Sequence, residues 1–207
     1  MFHKPMLLQK LQENRRQGRV VIGLIGTHSG MGVTYTALML SFYLGEEAEL
    51  KTAFLECNQH YDMELIEAVY EWPVKEDGIF SFQNISCYKR VSVSQIPAIF
   101  GKDYEGLILD FGTDFANNRE EFLRCDIKIV VGGSSEWDIR KLERFFEETA
   151  SYGGDESWLC FIPRGNEKTV ARISHKLKRR VWAVPRADNP VVPSSVTNRF
   201  FRGVFNL

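Results

Sequence analysis

Short apolar runs alternate with helical patterns along most of the chain, and this alternation restricts the fold more than any other feature. The predicted strands are "RVVIGLIG", "KTAFLEC", "GLILDF", "IKIVVGG", "SWLCFIP" and "VWAVP". Helices are predicted over 34–45, 61–71, 135–150, 167–179 and 194–206. Strands that alternate with helices indicate parallel βαβ units. The sequence therefore predicts an α/β fold, a mainly parallel doubly wound sheet of about six to eight strands flanked by helices.

Two segments lie outside this alternation. Residues 1–18 place their apolar side chains on one helical side, namely Met6, Leu7, Leu8 and Leu11. We expect them to form an N-terminal helical arm in front of a single α/β domain over residues 19–207. Within 72–103 the pattern weakens, and a hairpin or one short strand with irregular connections both fit.

Charge and cysteine content exclude several classes of protein. The 26 basic and 27 acidic residues give a formal charge of -1, so no global charge favours nucleic acid or an anionic membrane. The four cysteines lack metal-type spacing and are predicted to be buried thiols: Cys57, Cys87, Cys125 and Cys160. No apolar run approaches the roughly 18 residues that span a bilayer, and no signal peptide opens the chain. The expected location is the cytoplasm.

The stretch "VVIGLIGTHSGMGVTYTALML", residues 20–40, combines a strand, a glycine-containing loop and a helix. Glycines allow a tight turn that points backbone N–H groups inward, and the helix that follows adds the positive end of its dipole. Thr34 stands where a hydroxyl would ligate Mg²⁺. The loop is predicted to cradle phosphates, although glycines at this position also serve close packing alone.

A second chemical feature is the acidic residue at the end of the predicted strand in "YEGLILDFG". Asp110 followed by Gly112 is the usual arrangement of an acidic residue that faces Mg²⁺ across from a phosphate loop. A role as a turn residue at the strand end is the alternative.

The order of "GTHSGMGVTYTALMLSFYL", "LKTAFLECNQHYDM", "DYEGLILDFGTDF", "CDIKIVVGGSSEWDIRKLERFFE" and "WAVPRADNPV" resembles the MinD/ParA family of SIMIBI-class P-loop ATPases with a deviant Walker A loop. The resemblance covers about residues 19–190. Within this family, the sequence resembles most the degenerate TadZ and CpaE proteins of Tad/Flp pilus systems. It implies a nucleotide-dependent homodimer that positions other machinery. Its partners would be proteins of a pilus, secretion or positioning system.

The family's loop motif, Gly-Lys-Gly-Gly-x-Gly-Lys-Thr, is altered in this chain to "THSGMGVT". The signature lysine, which resembles an arginine finger, is replaced by His28, and the phosphate-loop lysine by Val33. The family's Asp-x-Asp becomes Glu56-Cys57-Asn58, so an amide occupies the position that orients water. The family's base-reading Asn-Arg becomes Pro163-Arg164.

The resemblance assigns nucleotide contacts to Gly30, Met31, Gly32, Val33, Thr34, Arg164 and Pro185, and Mg²⁺ ligation to Thr34 and Asp110. The family's catalytic positions hold Asp110, Asn58 and His28. Each lost charge typically costs a factor of about 10² to 10³ in rate, and an arginine finger about 10³ to 10⁵. We therefore expect a pseudo-ATPase scaffold that binds ATP or ADP with Mg²⁺, or no nucleotide. An ATP-binding switch with weak ATPase activity that dimerises on nucleotide is the alternative, and a DNA-partitioning protein is a second.

Three further features have competing interpretations. In "SSVTNRFFRGVFNL", the apolar residues fall on one arc, so residues 196–207 would either contact the inner face of the membrane or dock on the sheet or a partner, and docking is favoured. The basic run "HKLKRR" is interpreted as a solvated helix end rather than a nucleic-acid patch. Glu56 and His60 are too few to predict a metal site.

Overall fold

The computed structural model describes residues 18–71, 73–76 and 78–205. The predicted N-terminal arm lies outside the described residues except for Gly18, and so do Asn206 and Leu207 at the end of the predicted final helix.

The described chain forms one nine-stranded sheet with the order β3-β4-β5-β2-β6-β1-β7-β8-β9. The strands are β1 (Val20–Gly26), β2 (Thr52–Glu56), β3 (Val74–Glu76), β4 (Ile79–Phe82), β5 (Ile85–Tyr88), β6 (Gly106–Asp110), β7 (Ile127–Val131), β8 (Leu159–Pro163) and β9 (Val181–Val184). Only the β3–β4 and β4–β5 pairs are antiparallel. The mainly parallel sheet is therefore confirmed. It has more strands than expected because β3, β4 and β5 form in the weakly patterned segment, where a hairpin was one of the two predictions.

Within the described residues, seven α-helices flank this sheet. They are α1 (Val33–Phe42), α2 (Asp62–Tyr70), α3 (Ile96–Phe100), α4 (Phe115–Arg124), α5 (Glu136–Thr149), α6 (Glu167–Leu177) and α7 (Ser195–Phe205). The sequence did not predict α4, whose only buried residues are Asn118 and Phe122. Its start is fixed by Asp114, whose carboxylate accepts a hydrogen bond from the Asn117 N–H. Phe115, Phe122 and Leu123 are the only large apolar residues of α4, and the polar residues between them make its helical pattern weak.

Hydrophobic clusters cover both faces of the sheet, because alternate residues of each buried strand point to opposite sides. Ile22 and Leu24 of β1 belong to the cluster that includes α1 and α7, whereas Val21 and Ile25 belong to the cluster under α5 and α6. All four cysteines are free and buried, as predicted.

The C-terminal helix α7 contributes to the first of these clusters. Phe201 and Phe205 are fully buried, and the Phe201 ring lies 5.4 Å from the ring of Tyr43. The Phe200 ring contacts the ring of Phe161. The aromatic arc of "SSVTNRFFRGVFNL" therefore docks on the sheet, which was the favoured interpretation. Within residues 18–71, 73–76 and 78–205, no helix is both long enough and apolar enough to cross a bilayer.

Candidate functional site

The loop from Thr27 to Gly32 connects β1 to α1 at the carboxyl edge of the parallel strands. Gly30 and Gly32 have φ of 81° and 82°, in the left-handed region that favours glycine. The Gly32 carbonyl accepts hydrogen bonds from the Thr36 N–H (2.9 Å) and from the Thr36 hydroxyl (2.7 Å). The backbone therefore makes the tight turn that the glycine spacing predicted.

Val33 begins α1 and is only 6% exposed. Its side chain packs beneath the loop, because a Cβ added to Gly26 would lie 2.6 Å from Val33 Cγ2. Hydrocarbon therefore occupies the position where the resembling family carries a phosphate-binding lysine. No positive charge reaches the loop from this residue.

Asp110 ends β6 with a completely buried carboxyl group. Its Oδ1 accepts a hydrogen bond from the Gly112 N–H at 2.9 Å, whereas Oδ2 makes no hydrogen bond of normal geometry with the residues that the structure describes. Burial raises the pKa of Asp110 to about 6, and the Thr34 hydroxyl and the Gly112 N–H act in the opposite direction. A buried carboxylate oxygen that lacks a well-formed hydrogen bond, close to the Thr34 hydroxyl, fits the hard oxygen ligands that Mg²⁺ prefers. Thr34 and Asp110 are thus the residues that could hold Mg²⁺.

Glu56, at the end of β2, is also fully buried. Its Oε1 accepts a hydrogen bond from the Met63 N–H (3.1 Å) and its Oε2 accepts one from the Arg90 N–H (3.2 Å). Burial raises the pKa of Glu56 above its ordinary value, and the hydrogen bonds from these backbone N–H groups partly oppose that shift. This carboxylate joins the start of α2 to the segment after β5, which is a structural role.

Replacing Glu56 by glutamine should lower the free energy of unfolding by about 1 to 2 kcal/mol, because the new NH₂ group would face a backbone N–H donor. Urea unfolding measures the difference. Glu71→Gln, at the exposed end of α2, is the matched control and should change stability by less than about 0.5 kcal/mol. Equal stability of Glu56→Gln and the parent protein would contradict the structural role.

Asn58 uses both ends of its amide to shape the turn after β2. Its Nδ2 donates to the Asp110 carbonyl at 3.1 Å, and its Oδ1 accepts from the His60 N–H at 3.0 Å. Asn58 lines a polar cavity of about 820 Å³ that also includes Arg90 and Asn117. It does not line the cavity beside the glycine loop. Among described residues, no cluster of three or more His, Cys, Asp or Glu is placed to hold a metal ion.

His28 is held by its own chain. Its Nε2 lies 2.9 Å from Asp138 Oδ1, and its Nδ1 lies 3.0 Å from the Thr27 hydroxyl. Asp138 lies in the first turn of α5, where Ser135 forms a capping box with it. Burial alone would raise the pKa of Asp138, but the hydrogen bonds from Ser135 and the contact with His28 bring it below its ordinary value. Both ring nitrogens of the side chain at the signature-lysine position are therefore engaged, Nε2 with Asp138 of α5 and Nδ1 with Thr27 of its own loop.

A cavity of about 610 Å³ lies between the glycine loop and α2. Residues 28–34, Leu65 and Ile66 of α2, and Pro190 line it. Its volume is within the range of about 300 to 1,000 Å³ that is typical of small-molecule sites. The structure thus brings together Gly30, Met31, Gly32, Val33 and Thr34, the loop positions assigned to nucleotide.

Two assigned residues lie elsewhere. Arg164 is exposed after β8, with a left-handed φ of 59°, and its N–H donates to the Val184 carbonyl. Pro185 is half-buried after β9 and does not line the cavity. The sequence analysis did not identify Leu65 and Ile66 as residues of this cavity, because apolar residues at helical spacing do not reveal that they line a ligand site.

No protein-family model and no curated protein matches this sequence. Solved structures match almost the whole chain. The ParA family ATPase from Chlorobium tepidum has a TM-score of 0.71 and 13% identity, covering 92% of this chain and 99% of that chain. A chain of the MinC:MinD cell division protein complex from Aquifex aeolicus has a TM-score of 0.68 and 14% identity, covering 91% of this chain and 96% of that chain.

A third similar structure is the septum site-determining protein MinD from Pyrococcus horikoshii, solved with Mg-ADP. Its TM-score is 0.65 and its identity 13%, with coverage of 88% of this chain and 93% of that chain. These similarities establish the MinD/ParA P-loop fold for this chain.

Proposed function

We propose that this protein is a degenerate MinD/ParA-like P-loop protein that acts as a localisation or assembly scaffold and hydrolyses ATP very slowly or not at all. The single observation that carries the proposal is the altered loop. Val33 buries hydrocarbon where a phosphate-binding lysine is expected, and His28 is tied to Asp138 of the same chain. Charge stabilisation of a transferring phosphoryl group is the main catalytic term in this chemistry, so its loss should almost abolish turnover.

The proposal includes nucleotide binding, but with weaker affinity than a lysine-containing loop would give. The backbone turn at Gly30 and Gly32, the start of α1 and the unpartnered Asp110 Oδ2 are all retained. Bound Mg²⁺ would supply positive charge to the nucleotide phosphates, and Thr34 and Asp110 would hold it. A structural neighbour was solved with Mg-ADP, which supports this kind of ligand.

The assignment to a pilus or secretion apparatus follows from the resemblance to TadZ and CpaE. Protein partners are supported in a general sense because one neighbour was solved as a MinC:MinD complex. We propose that any homodimer forms without a signature lysine in trans. Contact with a membrane would need a surface other than the buried phenylalanines of α7.

The retained Asp110 and the cavity favour the alternative of an ATP-dependent switch with weak activity. The DNA-partitioning alternative has less support, because the arginines of "HKLKRR" are used within the fold. Arg179 pairs with Asp155 at 2.8 Å and lies over the Phe146 ring, and Arg180 lies over the Trp182 ring.

Thermal unfolding with millimolar ATP or ADP and Mg²⁺ is the test, together with phosphate release at stoichiometric protein. We expect little or no stabilisation by either nucleotide, and no turnover. A large shift with ATP alone would favour the switch. Turnover that Asp110→Ala abolishes would overturn the pseudo-ATPase.

A further inference from the structure

The cavity beside the glycine loop does not include the two positions that were expected to contact a nucleotide outside that loop. Arg164 is exposed after β8 and Pro185 follows β9, and neither lines the cavity. The loop itself and Thr34 do line it, and their backbone and hydroxyl groups suit phosphate and Mg²⁺. The cavity therefore contains the expected phosphate positions without the expected positions after β8 and β9.

Tyr35, in the first turn of α1, lies between the loop and these strand ends. A Cβ placed on Gly32 would lie 3.7 Å from Pro163 Cβ and 3.9 Å from Tyr35 Cβ, so Tyr35 starts beside the loop and close to the end of β8. Its hydroxyl reaches Ala187, in the segment that follows β9. The ring thus spans the space between the glycine loop and that segment.

The Tyr35 hydroxyl uses both backbone groups of Ala187. It donates to the Ala187 carbonyl and accepts a hydrogen bond from the Ala187 N–H at 3.0 Å. A backbone N–H and C=O side by side can orient a ligand in a pocket, and the edge of adenine offers the matching acceptor and donor. Here a side chain of the same molecule already satisfies that backbone pair.

Packing also holds the Tyr35 ring in place. Tyr35 and Ala187 both pack against the hydrophobic cluster that includes α1 and α7, as does Met31 of the loop. Turning the ring away would break two hydrogen bonds and expose apolar surface. We therefore expect the ring to keep this position when a ligand enters the cavity.

We propose that Tyr35 closes the base side of the cavity, so that the site binds nucleoside triphosphates of any base through their phosphates and Mg²⁺. This selectivity rests on the weak phosphate binding proposed above. The glycine turn, Thr34 and Asp110 would contact phosphate and Mg²⁺, which are the same in every nucleoside triphosphate. Purine and pyrimidine nucleotides then bind with equal affinity.

Titration calorimetry on the full-length protein with Val33→Lys tests this selectivity, because a lysine at this position should supply measurable affinity. The ligands are the Mg²⁺ complexes of ATP, CTP and ribose 5-triphosphate. The last of these has the triphosphate and sugar of ATP but no base. We expect the three dissociation constants to agree within about threefold.

Adding Tyr35→Ala to Val33→Lys should open the path to Ala187. Mg-ATP should then bind about fivefold or more tighter than Mg-ribose 5-triphosphate, because adenine can hydrogen-bond the freed backbone pair. Tyr70→Ala in the same background is the matched control. The Tyr70 hydroxyl also contacts the segment after β9, through Asn189, but Tyr70 does not line the cavity. This control should leave the three dissociation constants equal.

A preference of Val33→Lys for Mg-ATP over Mg-ribose 5-triphosphate above about threefold would overturn the inference, whether or not Tyr35→Ala folds. Failure of all three ligands to bind Val33→Lys would also overturn it. So would a folded Tyr35→Ala variant with a smaller preference than expected, or the same preference in the Tyr70→Ala control. Phosphate release tests the pseudo-ATPase separately, because turnover by the parent protein would overturn the scaffold role and leave this comparison of ligands intact.

Discussion

Val33→Lys is expected to raise the affinity of this protein for Mg-ATP by about 10- to 100-fold. The lysine would hydrogen-bond the nucleotide phosphates, and hydrogen bonds between charged groups usually contribute a gain of about this size. The loop that surrounds this position already has the required turn, with Gly30 and Gly32 in the left-handed region. Val33 borders the cavity, so a longer side chain can extend into it from the same Cα. Titration calorimetry with Mg-ATP and Mg-ADP measures the change.

Val33→Met is the matched control. It lengthens the side chain and disturbs the packing against Gly26 in a similar way, but it adds no charge. We expect no gain in affinity for Val33→Met. Equal gains for both variants would show that cavity shape, rather than charge, limits binding.

The same substitution should not create an ATPase. His28 remains paired with Asp138, and the Asn58 amide remains committed to the Asp110 carbonyl and the His60 N–H. A neutral amide accepts protons very poorly, so no base is gained. Single-turnover phosphate release should stay at the background rate. Phosphate release well above the background rate would mean that the missing lysine at position 33 alone accounts for the lack of ATPase activity.

Much of the fold was predictable because parallel strands are buried on both faces and appear as continuous apolar runs, as in "VVIGLIG" and "GLILDF". The hairpin β3–β4 and helix α4 were harder to predict, since they lie at the margin of the sheet or bury few side chains. Local periodicity reports burial, and these elements have little of it.

Some features of the candidate site were also predictable from the sequence, and others were not. The glycine turn and the strand-end Asp110 depend on local backbone geometry, so the sequence indicated both. The contact of His28 with Asp138 joins the loop after β1 to the first turn of α5, and the contacts of Glu56 join β2, α2 and the segment after β5. Partners that meet only through the fold leave no spacing signal in the sequence.

Asp110→Asn is expected to change metal-free stability and Mg-nucleotide binding in opposite directions. In EDTA near pH 7.5, the variant should be more stable by about 1 to 3 kcal/mol, because it no longer buries an ionised oxygen without a donor. The folded-state pKa of about 6 lies above the ordinary value of 3.8. The penalty therefore applies fully above pH 6 and disappears as the pH falls towards 4. Urea unfolding at pH 7.5 and pH 5 should show the advantage of the variant shrinking.

Asp114→Asn is the control for this measurement. Asp114 is exposed, and its Oδ1 caps α4 by accepting the Asn117 N–H, which an asparagine oxygen does equally well. Its Oδ2 accepts from the exposed Asn117 side-chain amide, which can turn to water in the variant. Its stability should match that of the parent protein at both pH values. Destabilisation by Asp110→Asn in EDTA would mean that Asp110 is needed for folding and is not held in reserve for a cation.

The binding half of the prediction uses the Val33→Lys background, where affinity is high enough to measure. There, Asp110→Asn should weaken Mg-ATP binding by about 100-fold while leaving ATP binding in EDTA unchanged, because an amide oxygen lacks the charge that holds Mg²⁺. Opposite signs for stability and binding are characteristic of a residue kept for a ligand at the expense of the fold. If Asp110→Asn weakened ATP binding equally with and without Mg²⁺, the carboxylate would act on the loop itself. The nucleotide site would then have lost its metal along with its lysines.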